Sequence, residues 1–161
     1  VPYVPWADDV PVRVLPPAQK DMDRAVQGIY LLYSAVAPEG WREGAVLVQM
    51  VNHKVVSAGV AVIPDENGDP QKKAVHPLPH ALYSYALYIK EQTIDEKAGG
   101  AVSVRFDFTS TSTKVNIQMN YMDEPEFADD VPLEDWKAEI AEYPRDAAYM
   151  PQWLLRRAGM V

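Results

Sequence analysis

Residues 101–121 constrain this chain more than any other stretch, because both halves of a β-hairpin are written there in one period. Val102, Val104, Phe106 and Phe108 alternate with Ser103, Arg105, Asp107 and Thr109. After a polar turn through Ser110 to Thr113 the alternation returns, with Val115, Ile117, Met119 and Tyr121 between Lys114, Asn116, Gln118 and Asn120. A period of two in both halves predicts two paired strands with one apolar and one wet face. Val104, Phe106, Ile117 and Met119 are expected to face helices. Arg105, Asn116, Gln118 and Asn120 are expected on a polar sheet face.

Ahead of the hairpin, Pro2, Pro5, Pro11, Pro16 and Pro17 each remove a backbone donor and bias the preceding residue away from helix. Residues 1–17 are therefore expected to be an extended arm, with Tyr3 and Trp6 packed on the domain or on a partner, and residues 18–161 a single domain. Met22, Ala25, Ile29, Leu32 and Val36 form a stripe of helical period, which predicts a first helix from Ala18 to Ala37 with Asp21 and Asp23 near its positive end. Pro38-Glu39-Gly40-Trp41 ends it, since proline cannot continue the helix and glycine accepts positive φ.

Ala45 to Val51 and Lys54 to Ile63 are β-rich runs flanking a tight turn at Asn52-His53, and their near-continuous apolar character predicts strands covered on both faces. The polar cluster from Asp65 to Lys73 reads as a long mobile loop; it lacks the ligand spacing of a calcium loop. His76 and His80 are four apart, but Pro77 and Pro79 keep them off a common helical turn, so they read as loop histidines. A second helix follows, with Leu82, Tyr85, Ala86 and Ile89 expected inside and Tyr83, Lys90 and Glu91 more exposed.

Beyond Tyr121 the chain turns acidic. Asp123, Glu124, Glu126, Asp129 and Asp130 fall within eight residues, and Glu134, Asp135, Glu139 and Glu142 follow. Carboxylates at this density repel one another and are expected at the surface, as a solvated loop or as a docking patch for cations. Leu133, Trp136 and Ile140 predict a short helix between Pro132 and Tyr143. A last short helix begins after Pro151 and ends in Arg156 and Arg157, where the helix dipole favours cations.

The order is helix, strand, strand, helix, strand, strand, helical tail. It predicts an α+β fold: an antiparallel sheet with helices packed on one face. At 161 residues, 48% hydrophobic and 24% charged, the composition is that of one globular domain, and no apolar run approaches the roughly 20 residues of a membrane span. No basic-then-apolar leader opens the chain, and there is no cysteine for disulfides or thiolate metal sites. A soluble, cytoplasmic protein is expected. The net charge of −8 argues against nucleic acid as a partner and for a basic protein.

In three places the chain resembles the YezG-like antitoxin and immunity proteins. They are the helix closing on Pro38-Glu39-Gly40-Trp41, the hairpin running into Asn120-Tyr121-Met122-Asp123-Glu124, and Tyr143-Pro144-Arg145 followed by Pro151-Gln152-Trp153-Leu154. The resemblance covers most of the chain from Ala18 onward. It implies an immunity protein that neutralises a bacterial toxin domain by blocking its active site, without catalysis or cofactor, the toxin being a nuclease or an NAD glycohydrolase. The toxin-binding residues are then expected to be the acidic block Asp123, Glu124, Glu126, Asp129 and Asp130, with Arg105, Asn116, Gln118 and Asn120 nearby.

Two other classes compete. A small-molecule or peptide-binding module would use the polar sheet face. A hydrolase would need a carboxylate pair such as Asp107 with Asp123, since Ser110 and Ser112 sit in a turn without a nucleophile elbow and the histidines lack a recognisable acid partner.

Overall fold

The structure, a computed structural model, describes residues 4–5, 22–52 and 54–161. In order they form β1 (Val4–Pro5), α1 (Met22–Val36), β2 (Glu43–Val51), β3 (Lys54–Pro64), β4 (Pro70–Ala74), α2 (Ala81–Gln92), β5 (Ser103–Thr109), β6 (Ser112–Asn120), α3 (Leu133–Glu142) and α4 (Gln152–Arg157). The fold is α+β. Every strand pairing is antiparallel, in the order β3–β2–β5–β6, and the outer edge of β3 is shared by β1 opposite Val56 and Ser57 and by β4 opposite Val60 to Pro64. Of the expected arm, only Val4–Pro5 lies among the described residues, at that sheet edge. The expected start of α1 at Ala18 lies outside them.

The hairpin has the orientation its alternation demands. Val104 and Phe106 are fully buried, opposite Met119 and Ile117, which pack partly buried against the same core. Ala25, Ile29 and Tyr33 of α1 and Leu82, Ala86 and Ile89 of α2 cover this face. Each fully buried apolar side chain of that kind stabilises the fold by roughly 1.5–3 kcal/mol. The two helices approach closely at Gly28, where a Cβ would fall 2.5 Å from the Tyr85 ring.

Tyr33 ties α1 to β3, to β5 and to the turn ahead of β2. Its hydroxyl donates to the Val60 carbonyl at 2.7 Å, its ring stacks on Phe108 at 4.4 Å, and Trp41 meets it edge-on at 5.2 Å. Gly44 lies directly beneath, and any side chain there would strike the Tyr33 ring. Burial pushes the Tyr33 hydroxyl well above the ordinary tyrosine range, so it remains a donor. Gly40 takes φ +84° and turns the chain from α1 into β2, as the Pro38-Glu39-Gly40-Trp41 signal requires.

The tail helices build a second, smaller core. Phe127, Val131, Trp136, Leu154 and Ala158 gather there on Val51 and Val102. Met50 belongs to the first core and Val51 to the second, and successive strand residues point to opposite faces. The tail therefore packs at the end of β2, on the side away from α1 and α2.

Four expectations need correction. The stretch from Asp65 to Lys73 is not one long loop: Asp65 accepts the amides of Asn67 and Asp69 in a tight turn with Gly68 at φ +82°, and β4 returns along β3. Tyr83 and Lys90 are buried, not exposed. Tyr83 shares a short hydrogen bond with Ser57, and Lys90 reaches the end of β2 beneath α3. In α3, Trp136 and the partly buried Ile140 pack inward as expected, but buried Glu139 joins them and Leu133 is 40% exposed. Val36, expected on the α1 stripe, is exposed, and Tyr33 takes the inward position.

Candidate binding surface

The polar sheet face is carried by β5 and β6. Directly across the hairpin, Arg105 stands opposite Gln118, Asp107 opposite Asn116 and Ser103 opposite Asn120. Arg105 is engaged by its own strand, with Nε 3.0 Å from Asp107 Oδ1. Both side chains are partly exposed, and a pair of that kind contributes about 0–1 kcal/mol.

Asn120 joins this face to the acidic block. Its Nδ2 donates to Ser103 Oγ at 3.0 Å and to the Asp123 carbonyl at 2.9 Å, while its Oδ1 accepts the Asp123 amide at 2.8 Å. The sheet edge thus fixes the first residue of the block. Trp153 Nε1 donates to the Met122 carbonyl at 2.7 Å, so α4 holds the same point from the other side.

The block is a ledge with a fixed underside. Pro125, Phe127, Ala128 and Val131 turn inward and are buried, and the exposed carboxylates stand between them. Arg157 at the end of α4 spans the ledge, with Nε 2.8 Å from Glu124 Oε2 and Nη1 2.7 Å from Asp129 Oδ1. Those two hydrogen bonds hold the Arg157 guanidinium above its ordinary pKa. Asp123, Glu126 and Asp130 are exposed and carry no ion pair among the described residues. The five carboxylates therefore divide into two that fasten the ledge and three presented to solvent.

Beneath α3 lies the support that sequence reasoning missed. Lys90 Nζ contacts both Glu139 oxygens at 2.8 and 2.9 Å, donates to the Met50 carbonyl at 3.1 Å and sits 4.7 Å from the centre of the Tyr143 ring. Glu139 also accepts the Asn52 amide, in the turn where Asn52 holds φ +52°, and Asn52 Nδ2 donates to Asp135. Burial lowers the Lys90 pKa, and Glu139 opposes the shift. Trp136, Glu139 and Tyr143 recur at helical spacing, a signal that puts Glu139 on the buried stripe.

At the other end of the polar face is an open furrow of about 720 Å³. Ala45, Val60 and Val62 form its floor, and Lys72, Arg105 and Lys114 rise around it. It is lined by one aromatic, Phe108, at its margin.

The carboxylate pair considered for a hydrolase does not meet. Asp107 lies opposite Asn116, whereas Asp123 is clamped at Asn120, four strand residues and about 13 Å farther along. Among the described residues no group of three or more His, Asp or Glu side chains is placed to hold a metal ion. No helix among them is long and apolar enough to cross a membrane. No family model and no curated protein sequence matches the chain.

Proposed function

We propose that this chain is an immunity protein. It binds a bacterial toxin domain through the acidic ledge and inhibits it by covering the active site, without chemistry of its own. The toxin is a nuclease or an NAD glycohydrolase, because both handle phosphate-bearing substrates and expose cationic sites to do so.

The observation that carries this reading is the presentation of Asp123, Glu126 and Asp130. They are exposed and carry no ion pair among the described residues, on a loop whose underside is buried at Phe127 and Val131 and whose ends are held by Asn120 and Arg157. A backbone held in this way loses little conformational freedom on docking, and a cationic partner relieves the mutual repulsion of the carboxylates. A solvated acidic loop would need neither the buried anchors nor the Arg157 brace.

The test is protection. A basic nuclease or NAD glycohydrolase toxin domain is expressed in a sensitive host with the wild-type chain or with the variant Asp123→Asn, Glu126→Gln, Asp130→Asn. Survival with the wild type and death with the variant, at equal protein levels, supports the reading. Equal survival places the interface elsewhere, and death with both rejects immunity to that toxin.

A further inference from the structure

The furrow lies at the far end of the polar sheet face from the ledge, and its dimensions and charges point to a particular occupant. Lys72 stands on β4 opposite Val62, Val62 opposite Glu43, and Glu43 opposite Thr109, which pairs with Ser112 at the start of β6. Opposed residues share a face, so the furrow runs across five strands, with Lys72 on the first and Lys114 on the last. Four strand spacings make it about 19 Å wide. Spread over that width, 720 Å³ leaves a cross-section of about 40 Å², close to the roughly 4.8 by 10 Å of one extended strand with its side chains.

The charges along it are ordered. Lys72 and Lys114 are exposed at the two ends and make no ion pair among the described residues. Arg105 is neutralised by Asp107, and Glu43 adds a negative charge midway. Toward Lys72 the floor is apolar, with Val60 and Val62 on β3 and Ala45 on β2, and toward Lys114 it is polar, with Asp107, Thr109 and Ser112.

We propose that the furrow binds an extended segment of a partner protein, lying across the strands, with carboxylates about six residues apart and an apolar side chain two residues after the first. At about 3.3 Å per residue, positions one and seven of such a segment reach Lys72 and Lys114 from the same side of the chain. Position three, about 6.6 Å along, then meets the apolar floor between β3 and β2, and position five reaches Thr109 on β5. The two end cations attract the acidic termini, and Glu43 disfavours a third acid between them. This second contact does not depend on the ledge, and its partner is distinguished by acidity where the ledge requires a base.

The probe is a capped, fluorescently labelled seven-residue peptide with glutamate at both ends, valine at the third position and serine elsewhere. Anisotropy with the full chain at low salt should show saturable binding. Lys72→Glu and Lys114→Glu should each weaken it about tenfold, since reversal replaces an attraction with a repulsion. A peptide ended in glutamine should bind as weakly to the wild type, and amide shifts should centre on Ala45, Val60 and Val62. The triple ledge variant should bind as the wild type does, which separates this site from the immunity reading. Absence of binding at millimolar peptide, equal binding of the glutamine peptide, or shifts confined to residues 120–130 would overturn the proposal. Competition by glutarate at the peptide's own concentration would also overturn it, by making the furrow a small-molecule site.

Discussion

Lys90 Nζ lies 2.8 and 2.9 Å from the two carboxylate oxygens of Glu139, and both side chains are almost wholly withdrawn from water. This pair fastens α2, under the main sheet face, to α3, which supports the second core. Lys90→Met should cost about 3–5 kcal/mol in urea unfolding, because it leaves a buried carboxylate without its cation. Lys90→Met with Glu139→Leu should recover part of that loss, leaving about 1–3 kcal/mol for the Asn52 amide that then lacks an acceptor. A loss below about 1 kcal/mol for the single variant would show that the pair carries little strain on removal.

The Tyr33–Gly44 crossing makes a second test. Tyr33→Phe removes one hydrogen bond to Val60 and should cost about 1 kcal/mol. Gly44→Ala forces the whole ring off Phe108 and Trp41, and should cost about 2–3 kcal/mol. Thermal melts in which the alanine variant matches the wild type would contradict the close approach.

Asp95 governs part of the acid limb. Its carboxylate accepts the amides of Ala98 and Lys97, which lower its pKa below the ordinary aspartate value. A carboxyl group depressed in the folded state adds stability above the unfolded pKa of about 3.9, and that stability is lost as pH falls through the lower folded value. The stability gap between wild type and Asp95→Ala should therefore be constant near neutrality and close below about pH 4. Urea midpoints recorded from pH 7 to pH 3 decide it; a gap that stays unchanged at pH 3 would sink the assignment.

Much of the fold was legible because local signals and burial agree. The hairpin alternation matches one covered and one open face, and Gly40 sits where the chain requires positive φ. β4 was not legible because it is an edge strand with every residue exposed, so Pro70, Gln71, Lys72 and Lys73 carry no apolar period. Lys90 was misjudged because its partner arrives from 49 residues away, although the spacing of Trp136, Glu139 and Tyr143 marked the receiving face. The acidic block was visible as charge. Its rigidity was not, because Arg157 lies 33 residues beyond Glu124 and reads locally as a helix-end cation. The furrow was invisible for a related reason: it needs the register of five strands, including the unanticipated β4.

Arg157 separates holding the ledge from binding by it. Arg157→Leu frees Glu124 and Asp129, so it should loosen residues 122–130 in hydrogen exchange while leaving the β5–β6 amides protected. Unchanged exchange throughout 122–130 would mean that Phe127 and Val131 hold the ledge unaided.

In the proposed complex the carboxylates of Asp123, Glu126 and Asp130 receive a basic toxin domain. Its most direct test is the association rate of the purified chain with a toxin domain against which it protects the sensitive host, measured by stopped flow over a range of salt. The wild-type rate should fall steeply from low to physiological ionic strength, and the variant Asp123→Asn, Glu126→Gln, Asp130→Asn should associate at least about tenfold more slowly at low salt with a flattened salt dependence. A variant that associates as fast as the wild type, with the same salt dependence, would contradict the claim.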